Sequence, residues 1–345
     1  MRISTVLGML GALAVLFDAG SAAAQSAKLP ALGADTAKIS VSGLSSGAFM
    51  TVQYGVAFSA STIGQGVVAG GPYNCAWINF GGIITCMSGS PNGSASYGAA
   101  QGFAMFGQID PVSNLATQKI YMFSGSQDST VKQSVMNSTF EFFQSAQVPA
   151  ENIEYVKQYP AGHAFISSTS GNGCGVTDTP YVDTCAENGA ASGVNYDQPN
   201  AILTQIYGPL KPSAAVLSSK PVPFDQTEFI SSALSSMADT GYVYVPATCA
   251  RGGSAHCAVH VVFHGCQQGA AIVGDAIYGK VGYNQWADSN GIILLYPQAV
   301  VSKMLPSNPE GCWDWWGYSG LNFQVQSGVQ LSAVRAMVNR LTTAN

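Results

Sequence analysis

Lys38-Ile39-Ser40-Val41-Ser42-Gly43-Leu44-Ser45-Ser46-Gly47-Ala48-Phe49-Met50 reads as a short β-branched strand, a sharp turn and the start of a helix. Gly43-x-Ser45-x-Gly47 is the only G-x-S-x-G match in the chain. A turn of this kind holds its middle residue on a strained backbone, so that the hydroxyl stands exposed above a sheet. Glycines flank it because a Cβ there would collide with the neighbouring strand and helix. A chain with 39 glycines can match such a motif by chance. The strand before it and the apolar helix after it, through Phe49, Met50, Val52, Tyr54, Val56 and Phe58, supply the context the motif needs. Ser45 is the candidate nucleophile.

Working outward, further buried strands follow at Ile63–Val68, Lys119–Gly125 and Asn152–Tyr159, and later at Tyr242–Pro246, Val259–Phe263 and Gly291–Pro297. Helices are expected at Val131–Ala146, Asn200–Tyr207, Tyr283–Asn290 and Ser327–Leu341, and the Gly- and Ser-rich segment Asn74–Gly102 reads as a loop. Short apolar strands alternating with helices argue for an α/β fold, a mostly parallel sheet with helices on both faces. The order is unusual. The turn His264-Gly265-Cys266, of the type that supplies oxyanion donors, comes last and the serine elbow first. An α/β-hydrolase has them the other way round. Joining the C-terminus to the N-terminus restores the usual order, which is the signature of a circular permutation.

The first residues read as a secretory signal peptide, 1–24, with Arg2, an apolar run from Val6 to Phe17 and a small-residue cleavage site at Ala22-Ala23-Ala24. That run is too short for a membrane anchor. Residues 25–345 are expected to form one domain, with no Pro/Thr- or Gly/Ser-rich linker to set off a second, secreted or periplasmic and a monomer. Only 9% of residues are charged, and the net charge of -5 comes without a basic block, which excludes nucleic-acid binding.

Eight cysteines in an exported chain point to disulfides. Local spacing suggests Cys75–Cys86, Cys174–Cys185 and Cys249–Cys257, each closing a short polar loop, and leaves Cys266 with Cys312. There is no C-x-x-C pair and no H-E-x-x-H spacing, so no metal site is expected, and no cofactor.

A serine hydroxyl needs a histidine to take its proton, and the histidine needs an acid to hold its tautomer. Ser45, Asp128 and His163 stand in the Ser…Asp…His order of α/β-hydrolases, each just beyond a strand end. Asp110 and Asp178 are alternatives for the acid, and Asp128 also suits a turn or helix cap. Of the four histidines, His260 lies inside a buried strand, His256 in a loop beside Cys257, and His264 in the oxyanion-type turn, which leaves His163 as base. The oxyanion donors are expected from the N–H groups of Ser46 and Cys266. Trp313, Trp315 and Trp316 form the densest aromatic cluster and read as a hydrophobic wall for an acyl or polyester chain, with at least one expected in the core. Asn137-Ser138-Thr139 matches an N-glycosylation acceptor.

Taken together, Val41–Gly47, Ser124–Asp128, Tyr159–His163, Phe263–Gln268, Tyr283–Asp288 and Gly311–Tyr318 resemble, in order and across nearly the whole chain, the extracellular polyhydroxybutyrate depolymerases whose lipase box lies near the N-terminus. They also resemble the wider group that includes feruloyl and acetylxylan esterases. The resemblance implies a circularly permuted α/β-hydrolase that hydrolyses poly(3-hydroxybutyrate) or its oligomers through a Ser45 acyl-enzyme. It implies Ser45, Asp128 and His163 as triad, Ser46 and Cys266 as oxyanion donors, and the tryptophan loop along the substrate crevice. Two other readings stand beside it: an esterase on small or plant cell-wall esters, and a secreted binding protein that kept the fold without the catalysis.

Overall fold

The computed structural model describes residues 27–188, 192–250 and 256–344. The expected signal peptide lies outside the described residues, as does part of the Cys249–Cys257 loop.

From the N-terminal side, strand β1 (Ile39–Leu44) feeds helix α1 (Ser46–Ala57) and then β2 (Thr62–Val68). Three helices follow, α2 (Cys75–Ile78), α3 (Gly82–Ser88) and α4 (Gly93–Met105), before β3 (Lys119–Phe123), α5 (Gln133–Ser145) and β4 (Ile153–Val156). Three very short strands, β5 (Phe165–Ile166), β6 (Asn172–Gly173) and β7 (Val182–Thr184), make a separate small sheet in the order β5-β7-β6. The rest is α6 (Gln198–Tyr207), β8 (Val222–Asp225), β9 (Thr240–Tyr244), β10 (Ala258–Phe263), α7 (Ala270–Val273), α8 (Tyr283–Asn290), β11 (Ile292–Tyr296) and α9 (Val329–Thr342).

The large sheet has the order β4-β3-β2-β1-β10-β11-β9-β8. Its strands run parallel from β4 to β11, and β9 and β8 turn antiparallel at one edge. Both faces are buried. Ile120 and Met122 of β3 enter one core with Val52 of α1, Phe142 of α5 and Val334 of α9. Tyr121 and Phe123, the intervening residues, enter the other with Ile202 of α6 and Ala287 of α8. Alternation of side chains along a strand sends successive apolar residues to opposite faces, so a strand covered twice reads as one continuous apolar run.

The permutation is written in the topology. β10 lies beside β1 and pairs with it in parallel, Val261 opposite Val41, although the two are far apart in sequence. The ends meet as well: Leu32 N–H and Ala34 N–H donate to Leu341 O, and Gly33 N–H donates to Thr343 O at 2.8 Å. Reading from β8 through α9 and across this seam into β1 places the oxyanion-type strand before the nucleophile strand.

The loop expected over Asn74–Gly102 is instead the helical run α2, α3 and α4. Packing overrides the poor intrinsic propensity of its glycines and serines. Asn92 caps α4 by accepting from Ala95 N–H at 2.7 Å. Gly93 brings that helix so close to α5 that a Cβ would lie 2.1 Å from Ser138 O.

Candidate active site

Ser45 sits between β1 and α1 with φ 57 and ψ -124, a left-handed backbone that costs a non-glycine residue about 1–3 kcal/mol. Its surroundings fix it there. Ser45 N–H donates to Val68 O at 3.0 Å, and Ser45 O accepts from Ala48 N–H and Phe49 N–H. A Cβ on Gly43 would meet Gly47 O at 2.4 Å, and one on Gly47 would meet the carbonyls of Phe263 and His264 at 2.4 Å. Both glycines of the motif are therefore sterically required, one by the elbow itself and one by β10.

The loops after β3 and β4 are stitched together. Ser126 N–H donates to Tyr159 O at 2.8 Å, Gln127 N–H donates to Ala161 O, and a Cβ on Gly125 would lie 2.2 Å from Ala161 O. The result brings Asp128 to His163. Asp128 Oδ1 accepts from the N–H groups of Thr130 and Val131, while Oδ2 accepts from His163 Nδ1–H at 2.8 Å. Asp128 thus does both jobs considered for it, turn residue with one oxygen and histidine partner with the other. Its pairing at Nδ1 leaves His163 Nε2 for a second proton partner. Asp110 is committed elsewhere, to Ala60 N–H and Gln326 Nε2, and Asp178 Oδ1 to its neighbour Thr179 N–H.

The other histidines divide as the sequence suggests. His260 is fully buried, with Nδ1 2.6 Å from Ser40 Oγ and Nε2 2.8 Å from Ser42 Oγ, and burial pushes its pKa down to about 3. His264 is buried too, its pKa lowered to about 4 by burial. Its Nδ1–H donates to Gly265 O at 2.7 Å and its Nε2 accepts from Ala299 N–H at 3.0 Å, so it is a neutral brace of the turn. His256 is exposed.

Ser46 opens α1, at a position where a helical N–H has no acceptor within its own helix. Across from it, the turn after β10 commits three of its four amides. Gly265 N–H donates to Gln268 Oε1, Gln267 N–H to Glu310 O and Gln268 N–H to Gly265 O. Cys266 N–H is the one left over. The Cys266–Cys312 disulfide fastens this turn to the aromatic loop, and the other three bridges pair as the spacing suggests.

Ser45, His163 and Cys266 share a cavity of about 480 Å³. Its walls are mainly apolar, with Leu44, Phe49, Ile83, Met87, Trp315 and Trp316 among the lining. Thr130, Thr177, Gln267, Asn308 and Glu310 also line it, and a largely apolar pocket with a limited set of polar groups suits a ligand with an apolar body.

Comparison with known proteins completes the picture. No protein-family model matches the chain. The poly(3-hydroxybutyrate) depolymerase of Delftia acidovorans is 41% identical over 343 residues, covering 96% of this chain and 65% of that protein. The chain therefore spans just under two thirds of that relative's length. The polyhydroxybutyrate depolymerase of Talaromyces funiculosus is 36% identical over 345 residues, covering 96% of this chain and 97% of the relative. The chain belongs to the polyhydroxybutyrate depolymerase family.

Solved structures of the family superpose on the fold. The PHB depolymerase from Penicillium funiculosum does so with a TM-score of 0.82 at 36% identity, over 91% of this chain and 98% of that one. A serine-to-alanine variant of a PHB depolymerase, complexed with an R3HB trimer, gives the same values.

Of the three tryptophans read as the substrate wall, with at least one expected in the core, Trp313 is the one that lies inside. Trp313 was expected along the substrate wall with Trp315 and Trp316. It is fully buried in the core instead, its ring edge-on to Phe263 at 5.1 Å and 5.5 Å from His264. The loop turns inward there because Trp313 N–H donates to Ser46 Oγ and the disulfide at Cys312 holds the chain against the turn. Trp315 stacks on Phe49 at 4.2 Å, and the Trp316 carbonyl accepts from Nε1–H of Trp77 in α2 at 2.8 Å. Asp314, between Trp313 and Trp315, is buried and collects five hydrogen bonds from Trp316, Gly317, Tyr318 and Ser319. Burial raises its pKa, and the Ser319 and backbone donors oppose that shift.

Sequence reasoning missed several cavity residues. Ile83 and Met87 lie in the segment read as a loop. Tyr181, which lines the cavity at φ 56, lies just before β7, a strand too short to leave a periodic signal.

Proposed function

We propose that this chain is an exported serine esterase that hydrolyses poly(3-hydroxybutyrate) or its oligomers through a Ser45 acyl-enzyme. The observation that carries the chemistry is the Asp128–His163 pair at 2.8 Å on a cavity shared with Ser45. The substrate class rests on the names of the relatives, on the R3HB trimer bound by one of them and on the apolar lining of the cavity.

In this reading Ser45 Oγ attacks the ester carbonyl carbon while His163 Nε2 takes its proton. Asp128 holds the Nδ1–H tautomer and stabilises the imidazolium. The negative charge on the former carbonyl oxygen is met by the N–H groups of Ser46 and Cys266. Collapse breaks the C–O bond, and His163 returns the proton to the leaving hydroxyl end. A water then repeats the sequence on the acyl-enzyme, releasing the carboxylic acid and restoring Ser45. Trp315 and Trp316 supply apolar contact for the chain on either side of the scissile bond. Residues 25–345 act as one catalytic unit and as a monomer. Export is supported by four disulfides, since such bonds persist in oxidising compartments. No helix of the described residues is long and apolar enough to cross a membrane.

A substrate panel tests the reading. Initial rates on a hydroxybutyrate trimer, on a p-nitrophenyl ester and on a feruloyl ester are compared at equal enzyme. The proposal requires the highest kcat/KM on the trimer. A feruloyl preference of tenfold or more would move the assignment to a cell-wall esterase.

A further inference from the structure

The turn that carries Cys266 is held by a side chain whose bonding the proposed chemistry does not use. Gln268 is buried, 1% exposed. Its Oε1 accepts from Gly265 N–H at 2.6 Å. Its Nε2 donates to Pro180 O at 3.0 Å and to Tyr181 O at 2.9 Å. One amide therefore satisfies three backbone groups on two separate segments. Tyr181 O also accepts from Phe165 N–H at 3.0 Å, and Phe165 lies two residues beyond His163. The same carbonyl thus joins the base-bearing segment to the oxyanion-type turn. The turn is close to the nucleophile: a Cβ on Gly265 would lie 3.3 Å from Ser45 Cβ and 3.0 Å from Gln268 Oε1.

We propose that Gln268 is a positioning residue for the oxyanion hole, acting by fixing the Gly265–Cys266 peptides relative to Ser45 and His163. Gly265 N–H is the amide next to the expected donor. Taken up by Gln268 Oε1, it cannot point into the cavity, and the turn is set with Cys266 N–H as the free one. Gln267 sits at φ 60, a strained conformation that persists only where surrounding bonds over-determine it. Removing the amide leaves the Gly265 donor and the Pro180 carbonyl unpartnered in a buried place, where each is costly. The turn then relaxes to recover those bonds, and Cys266 N–H leaves the position the oxyanion requires. The inference rests on the ester-hydrolase reading of the site but not on the identity of the polymer.

The test is steady-state kinetics of Gln268→Met and Gln268→Glu on p-nitrophenyl butyrate, with inhibition by butylboronic acid measured alongside. Met keeps length and volume without hydrogen bonds. Glu keeps the acceptor for Gly265 and loses both donors. Loss of one oxyanion donor lowers kcat about 10²–10³-fold. The proposal requires Gln268→Met to lose about 100-fold in kcat with KM within about threefold of wild type, and boronate affinity to fall in step with kcat. Gln268→Glu should lose less than Gln268→Met. A role limited to stability would lower Tm but leave kcat and boronate affinity unchanged. Gln268→Met, folded by circular dichroism and within threefold of wild-type kcat, overturns the proposal, as does a Gln268→Glu that loses as much as Gln268→Met. Wild-type turnover of the butyrate ester without release from poly(3-hydroxybutyrate) would count against the substrate reading alone. A wild type inert on both would sink the two together.

Discussion

At the scale of single residues, the site depends on side chains doing two things at once. Asp128 uses one oxygen to close its turn and the other to hold His163. Replacing it with Asn keeps the turn and inverts the hydrogen bond to Nδ1, so the ring carries its proton on the wrong nitrogen. Asp128→Asn should lower kcat about 10⁴-fold with little change in Tm, as measured by ester turnover and thermal melting. A loss below tenfold would remove Asp128 from the mechanism. The tryptophans separate by environment. Trp313→Ala empties a fully buried site and should cost about 3–5 kcal/mol of stability. Trp316→Ala opens only the cavity wall, and should raise KM for oligomers several-fold while Tm stays within about 2 °C. Equal effects of the two on Tm would contradict the assignment of one to core and one to wall. This division was only partly legible beforehand. Three tryptophans in four residues announce an aromatic loop, but no local periodicity says which of them turns inward. That is decided by the distant Ser46 Oγ and by the disulfide to Cys266.

At the scale of elements, what the sequence showed best was whatever is buried on two faces. β3, β10 and β11 are nearly continuous apolar runs, while β1 and β2 interrupt theirs with buried Ser40, Ser42 and Gln65, and all five lie within a few residues of where the sequence places them. The elbow was legible for a different reason, because its glycines are demanded by backbone contacts at 2.4 Å. Elements held by tertiary contact left little trace. The segment that holds α2, α3 and α4 is rich in Gly and Ser, above all in α4, and the Cys75–Cys86 bridge and the packing on α5 hold it in place. These helices matter to function, since Ile83 and Met87 of α3 face the cavity. Gly93 is the tight point. Gly93→Val would press a side chain against Ser138 O and α5, with an expected cost of about 1–3 kcal/mol and a lower melting temperature. An unchanged Tm would show that α4 and α5 are not held as closely as described.

At the scale of the whole molecule, permutation leaves Ser45, Asp128 and His163 on one side of the sheet because the sheet, and not chain order, places the three residues. Ser45, Asp128 and His163 come from loops after β1, β3 and β4, all at one edge of a parallel sheet, while the oxyanion-type turn follows β10 alongside. Their common position was legible from strand ends alone. Global stability carries a titratable oddity outside this constellation. Asp183 of β7 is fully buried, neither carboxyl oxygen has a hydrogen-bond partner among the described residues, and burial raises its pKa to about 7. The unfolded chain gives up this proton from about pH 4, whereas the folded chain keeps it to about pH 7, so this group lowers stability as pH rises through that window. His260 and His264 act in the opposite sense, because their depressed values make the folded state weaker as pH falls below the unfolded histidine range near 6.5. Comparing Asp183→Asn with its parent cancels the histidines. The Tm gain of the variant should be larger at pH 8 than at pH 5 by about 3 °C or more. An equal gain at both would show that Asp183 is ionised throughout.

The central claim is that Ser45 cleaves the ester bonds of poly(3-hydroxybutyrate). It is tested most directly by measuring 3-hydroxybutyrate and its oligomers released from amorphous polymer by the wild type and by Ser45→Ala. The account predicts steady release by the wild type and none above background by the variant, with the two melting alike. Release by Ser45→Ala at a rate near wild type, or no release by a folded wild type, would contradict it.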